Sequence, residues 1–157
     1  MPDLLVTTYE AYKAAHVLAA VIWVGGAFMI QVFAIRVLGS KDPERLASFA
    51  ADTAWVGTRV LVPTSFLLLV FGMLTASQGN LDFGALWIML GLGVFLISFV
   101  TGAVFLGPES GRISKLVAAR GAADPEVGMR IRRILVISRI ELVLLLLIVV
   151  DMVVKPN

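Results

Sequence analysis

The sequence predicts an all-α integral membrane protein: a four-helix bundle with helix extensions on the cytoplasmic side. Three observations carry that reading. Hydrophobic residues make up 59% of the 157 residues and charged residues only 15%, where a soluble domain carries roughly 25% charged. Mean hydropathy is +0.96, which argues against a soluble globule or a disordered chain. Four stretches are apolar over enough length to cross a bilayer as helices, which takes ~20 residues. A single transmembrane domain over 1–157 follows, with spans at about 12–37, 58–77, 83–106 and 132–154.

The first apolar stretch, Val17 to Ile35, contains one strongly polar side chain, Gln31. The residues before it offer Asp3, Glu10 and a lone Lys13, not the basic cluster of a signal peptide. The run is also too long for a cleaved segment, so a retained first helix is expected. The second, Val60 to Ala76, is broken only by Pro63, Thr64, Ser65 and Thr75. The third, Phe83 to Pro108, runs 26 residues without a charge. The fourth, Ile134 to Val154, carries Arg139, Glu141 and Asp151. None alternates with the period of two that a membrane barrel needs. Helices are the remaining solution, because lipid offers no partner to open backbone groups.

Eleven of the thirteen basic residues fall in or beside two connections. Arg36, Lys41, Arg45 and Arg59 lie between the first two spans. Arg112, Lys115, Arg120, Arg130, Arg132, Arg133 and Arg139 lie between the last two. The turn Ser77 to Asp82 has none. The positive-inside rule then places both basic connections in the cytoplasm and both termini outside. Contact with anionic lipid accounts for the pI of 9.3 without nucleic acid. The partner expected is the lipid bilayer, with a second copy or another membrane protein beside it, since one four-helix unit offers few ligands.

Both basic connections contain Asp-Pro-Glu, at Asp42-Pro43-Glu44 and Asp124-Pro125-Glu126. Asp at the N-cap, Pro at the first helical position and Glu in the first turn are a helix start. The second helix should therefore run from about 43 to 77 and the fourth from about 125 to 155, each longer than the ~30 Å hydrocarbon core. The third should continue past Glu109 towards Arg120. Trp23 with Gly25 and Gly26, and Trp87 with Gly91 and Gly93, form a short common pattern. It reads either as a duplicated hairpin or as glycines, Gly102 among them, that let helices approach closely.

Cysteine is absent and histidine occurs once, at His16. Disulfides, zinc–cysteine sites, iron–sulfur clusters, c-type haem, cysteine nucleophiles and multi-histidine metal sites within one chain are excluded. No phosphate-binding glycine loop, HExxH or GxSxG occurs. The candidate chemistry lies in polar groups within the spans, which are costly there and normally have a partner. Lys13, His16 and Asp151 sit near the outer side. His16 lies three residues inside Lys13 and Asp151 four inside Lys155, so their depths are ~4.5 and ~6 Å. Either Asp151 orients His16, or His16 bonds water or a backbone carbonyl. Lys13 is a functional partner on the same helix face or a snorkelling anchor. Arg36, Arg59, Arg139 and Glu141 sit near the cytoplasmic side. Arg139 and Glu141 are two apart and do not face each other, so Arg59, then Arg36, is the expected partner of Glu141. The cluster is a helix-tying salt bridge or a clamp for a substrate or a haem propionate. Met29, Met73, Met89 and Met152 are core filler or soft ligands.

The first span reads Tyr12-Lys13-Ala14-Ala15-His16, then Trp23-Val24-Gly25-Gly26. A histidine seven residues before Trp-x-Gly at the start of a first span resembles the CopD-type copper-resistance and HemJ-type protoporphyrinogen oxidase membrane proteins. The likeness is greatest to a branch of predicted bacterial integral membrane proteins of unknown function. Arg59, Pro63 and Gly72 resemble the HemJ-type second span, and Arg139-x-Glu141 with Val154-Lys155-Pro156 its ending. The resemblance implies a multi-pass protein of the bacterial cytoplasmic (inner) membrane and haem b on His16. A lysine after the third-span tryptophan would be the second ligand position, but Ile88-Met89-Leu90-Gly91 follows Trp87 instead. Haem would then rest on His16 alone or on His16 with a methionine such as Met89, since His and His/Met ligation both occur. The CopD likeness implies copper handling, with His16 and methionines as a soft site. A redox cofactor protein, a copper-handling transport protein and a structural or partner-binding membrane subunit all remain open.

Overall fold

A computed structural model describes residues 7–155; Asp3 and Pro156, used above, lie outside that range. Four long helices account for nearly all of it. α1 spans Thr8–Ser40, α2 spans Pro43–Gln78 and α3 spans Leu86–Arg120, and α4 spans Pro125–Val154. At ~1.5 Å per residue, α1 alone is about 50 Å long. α1, α2 and α3 are each long and apolar enough to cross a membrane. α4 has 30 residues and carries Arg139, Glu141 and Asp151 in its apolar half.

The helix starts follow the capping chemistry of the sequence. Asp42 accepts from the backbone N–H of Glu44 at 3.0 Å and of Arg45 at 3.3 Å. Asp124 accepts from that of Glu126 at 2.8 Å. Thr7 and Glu10 cap α1 reciprocally. α1 stops where Lys41 turns left-handed, at φ 54°.

Both inner helices widen into a π-helical turn, at Gly57–Leu61 in α2 and Thr101–Leu106 in α3. Each turn ends two residues before a proline, Pro63 and Pro108. A proline inside a helix lacks an N–H and its ring collides with the carbonyl four residues back. A π turn relieves that collision without ending the helix. The prolines were visible in the sequence; the widened turns were not expected.

Successive helices run antiparallel. The seam between α1 and the second half of α2 is the most extensive in the bundle, and Gly26 keeps it close: a Cβ there would stand 2.9 Å from Leu61 Cδ2. Gly91 does the same between α3 and α4, facing Met152 and Ile148. Gly25, Gly93 and Gly102 face open space, so the close-approach reading holds at only two of its five glycines. One buried cluster, Ala34, Ile113, Val127, Ile131 and Leu135, fills the end of the bundle that carries the two basic connections. A second, Ala19, Leu68 and Phe95, fills the other end, and Trp23 packs on it.

Candidate functional site

His16 lies on α1 where that helix crosses α2. Its Nδ1 is 2.9 Å from the Leu68 carbonyl oxygen. A carbonyl only accepts, so Nδ1 carries the hydrogen and donates it; in the neutral ring this leaves the lone pair on Nε2. The approach is possible because Gly72 stands under the ring. A Cβ at Gly72 would be 2.9 Å from His16 Cε1 and 3.0 Å from Nδ1. The Leu68 carbonyl has two lone pairs and can serve both its own helix and the imidazole. Tyr12 and Phe71 flank the contact, their rings 6.3 Å apart. Of the two readings of His16 left open by the sequence, the structure shows the bond to a backbone carbonyl.

Asp151 is not the partner of His16. No hydrogen bond or ion pair joins them among the described residues, and Asp151 Oδ2 is buried without a partner. Equal depth along two helices fixes height but not facing, and His16 Nδ1 is taken by the Leu68 carbonyl. Lys13 is exposed, with Nζ 5.9 Å from the Tyr9 ring centroid. Met89 is 60% exposed, on the outside of the bundle. Lys155 covers Trp87, its Nζ 5.2 Å from the ring.

The expected cluster of Arg36, Arg59, Arg139 and Glu141 does not form. All three arginines are exposed, and none makes an ion pair among the described residues. Glu141 faces inward, with Oε1 buried and unpartnered. The long arginine side chains can run along an apolar surface to reach an interface, which a carboxylate turned into the bundle cannot do. Arg36 also lies twenty residues along α1 from His16, about 30 Å. Arg36 and His16 therefore cannot belong to one haem pocket.

The ion pairing that does form went unread in the sequence. Glu109 on α3 is 3% exposed and accepts from Arg130 on α4 and from Arg112 at 3.2 Å. Arg130 also holds Glu126 at 2.8 Å. Burial opposes ionisation of Glu109, but the hydrogen bonds and charges of Arg130 and Arg112 outweigh it and hold its carboxyl below the usual range. This pairing clamps α3 to α4 at the basic end. A cavity of about 250 Å³ lies nearby, lined by Phe49, Thr53, Ser114 and Ile131 among others. An open groove of about 510 Å³ runs between the two basic connections. Both are far from His16.

The residue that would hold a haem is His16, through Nε2, with the ring oriented by its Nδ1 bond. α3 offers no lysine or histidine in its apolar part, and Met89 faces outward. Among the described residues no three His, Asp or Glu side chains group closely enough to hold a metal ion.

The helices and their apolar surfaces define an integral membrane protein embedded in a lipid bilayer. The chain belongs to the family described as predicted integral membrane protein (DUF2269), whose profile matches residues 10–156. No curated protein and no solved structure matches the chain.

Proposed function

We propose that this is a four-span protein of the bacterial cytoplasmic membrane, with both basic connections inside and both termini outside, and that it holds a b-type haem on Nε2 of His16 near the outer face. The fourth crossing is supported by α4, which follows its neighbours from Gln31–Ser138 to Gly91–Met152. The orientation is supported by the concentration of lysine and arginine in the two connections.

One observation carries the haem reading. His16 donates from Nδ1 to the Leu68 carbonyl, and ligating histidines characteristically use the second nitrogen in this way to fix the ring and raise its basicity. When bound, haem would supply one-electron redox chemistry. The chain's own part is to hold the imidazole and to keep water away with the apolar ends of α1 and α2. Any further ligand to the group would come from a second copy or from a small molecule.

A second reading is favoured by the seating of the ring on Gly72. There His16 only ties α1 to α2, and the protein is a structural or partner-binding subunit. The copper-handling reading would use the same Nε2. The absorption spectrum of the protein purified in mild detergent, expressed with ample haem and set beside His16→Ala, separates these. A Soret band near one haem per chain that disappears in the variant supports the proposal. Absence of the band from both folded proteins removes it, and copper content of the same samples then decides between transport and a purely structural role.

A further inference from the structure

Three of the buried polar atoms that lack a hydrogen-bond partner are Gln31 Oε1, Ser98 Oγ and Glu141 Oε1. They come from three helices. Gln31, on α1, is 5% exposed and Ser98, on α3, is 6% exposed. Gln31 donates from Nε2 to Ser138 Oγ at 3.0 Å and to the Leu135 carbonyl at 3.4 Å. A backbone carbonyl cannot donate, so the amide orientation is fixed and Oε1 is the free end. Ser138 passes its own hydrogen to the Ile134 carbonyl at 2.9 Å and is satisfied. Glu141 follows Ser138 by three residues on the same face of α4.

Ser98 stands at the same level. Glu109 on α3 pairs with Arg130 on α4, and the two helices are antiparallel. Ser98 lies eleven residues before Glu109 and Glu141 eleven residues after Arg130, so the two lie at about the same level. The contacts of Phe105 with Arg133 and of Gly91 with Ile148 bracket that level on either side.

The inventory of this layer is unbalanced. An ionised Glu141 only accepts, and Gln31 Oε1 only accepts, while the Ser98 hydroxyl can donate one hydrogen. Among the described residues no positive charge closes the gap. Arg36 on α1, Arg59 on α2 and Arg139 on α4 are exposed. α3 has no charge between Phe83 and Pro108, and Glu109 beyond them is already paired. Asp151, the remaining charged group of the α4 span, is ten residues further on and is itself an acid. Orphaned polar groups cost several kcal/mol each where water is absent. Inward-turned polar groups of this kind normally have a partner, and oxygen ligands that include one carboxylate suit one small positive charge.

We propose that Gln31, Ser98 and Glu141 form an intramembrane site for a single positive charge, a proton or an alkali cation, with Glu141 as its anionic ligand. The site is independent of any cofactor on His16.

The test uses dicyclohexylcarbodiimide on the full chain in neutral-lipid nanodiscs, with modified residues located by mass spectrometry. The reagent takes up a carboxylic acid only with its proton, adding O–H across a C=N bond and rearranging to an N-acylurea. Glu141 is expected to be modified, more slowly as pH rises. If sodium, lithium or potassium slows the reaction at fixed pH, the occupant is an alkali cation; if none does, it is the proton. Ser98→Ala keeps the Gln31–Ser138 bond, and Gln31→Leu removes it. Each should shift the half-effect by roughly ten- to a hundredfold in proton or ion activity, the loss of one hydrogen bond to a charged group. The proposal is overturned if Glu141 stays unmodified at every pH in the folded protein. It is equally overturned if Ser98→Ala reacts with the same pH and ion dependence as the wild type.

Discussion

Placing a methyl group under His16 isolates the contact on which the α1–α2 seam turns. In Gly72→Ala the new Cβ would lie 2.9 Å from Cε1 and 3.0 Å from Nδ1 of the ring. Carbon contacts relax to about 3.5 Å or more, so the ring must retreat by roughly 0.6 Å. Its Nδ1 bond is 2.9 Å long and would stretch to the limit of a hydrogen bond. Overpacking costs about 1–3 kcal/mol and the lost bond about 0.5–1.5 kcal/mol. Alanine returns about 1 kcal/mol through helix propensity. The net expectation is destabilisation by about 1–3 kcal/mol. In His16→Ala the ring is gone, the methyl group has room, and Gly72→Ala should be neutral or slightly stabilising. A double-mutant cycle should therefore show a coupling of about 2 kcal/mol. It is measured by loss of helical circular dichroism as the SDS fraction of mixed micelles is raised, for all four proteins. An equal effect of Gly72→Ala with and without His16 would refute the reasoning.

Two further outcomes follow from the basic end. The Glu109 carboxyl is held below its usual range, so the folded state binds its proton less readily than the unfolded chain. Its stabilisation is present above the unfolded carboxylate pKa and is lost as pH falls through the lower folded value. Thermal unfolding midpoints should therefore drop on acidification more steeply in the wild type than in Glu109→Gln. Asp42→Ala and Asp124→Ala each remove a side-chain cap and should cost about 1 kcal/mol; backbone hydrogen exchange should quicken in the first turn of α2 or α4 and leave the apolar halves unchanged.

The helices were legible because capping and apolarity are local properties. Asp42 and Asp124 announced starts at Pro43 and Pro125, and the charge-free run before Glu109 announced α3. The π turns were less legible, since Pro63 and Pro108 signal a disturbance without saying how it is absorbed. The site was half legible. A lone histidine at a span's end pointed to His16, but its partner is set by rotation about the helix axis, which counting residues from the membrane edge does not give. Gly72 was the available signal: a small residue on the neighbouring helix at the level of an imidazole. The pairing of Glu141 with Arg59 failed because height again stood in for facing. Ser98 shares the three- and four-residue spacing of Gly91 and Phe95, which marks it as inward-facing, but its level beside Glu141 needed the α3–α4 register.

The proposed four crossings and their direction underlie every functional placement, and the absence of cysteine makes them directly measurable. Single cysteines at Ser40, Asn80, Gly121 and Lys155 would be probed in whole cells with a membrane-impermeant thiol reagent. Asn80→Cys and Lys155→Cys should label in intact cells, and Ser40→Cys and Gly121→Cys only after permeabilisation. Labelling of Gly121→Cys and Lys155→Cys from the same side would show that α4 does not cross, and would contradict the account.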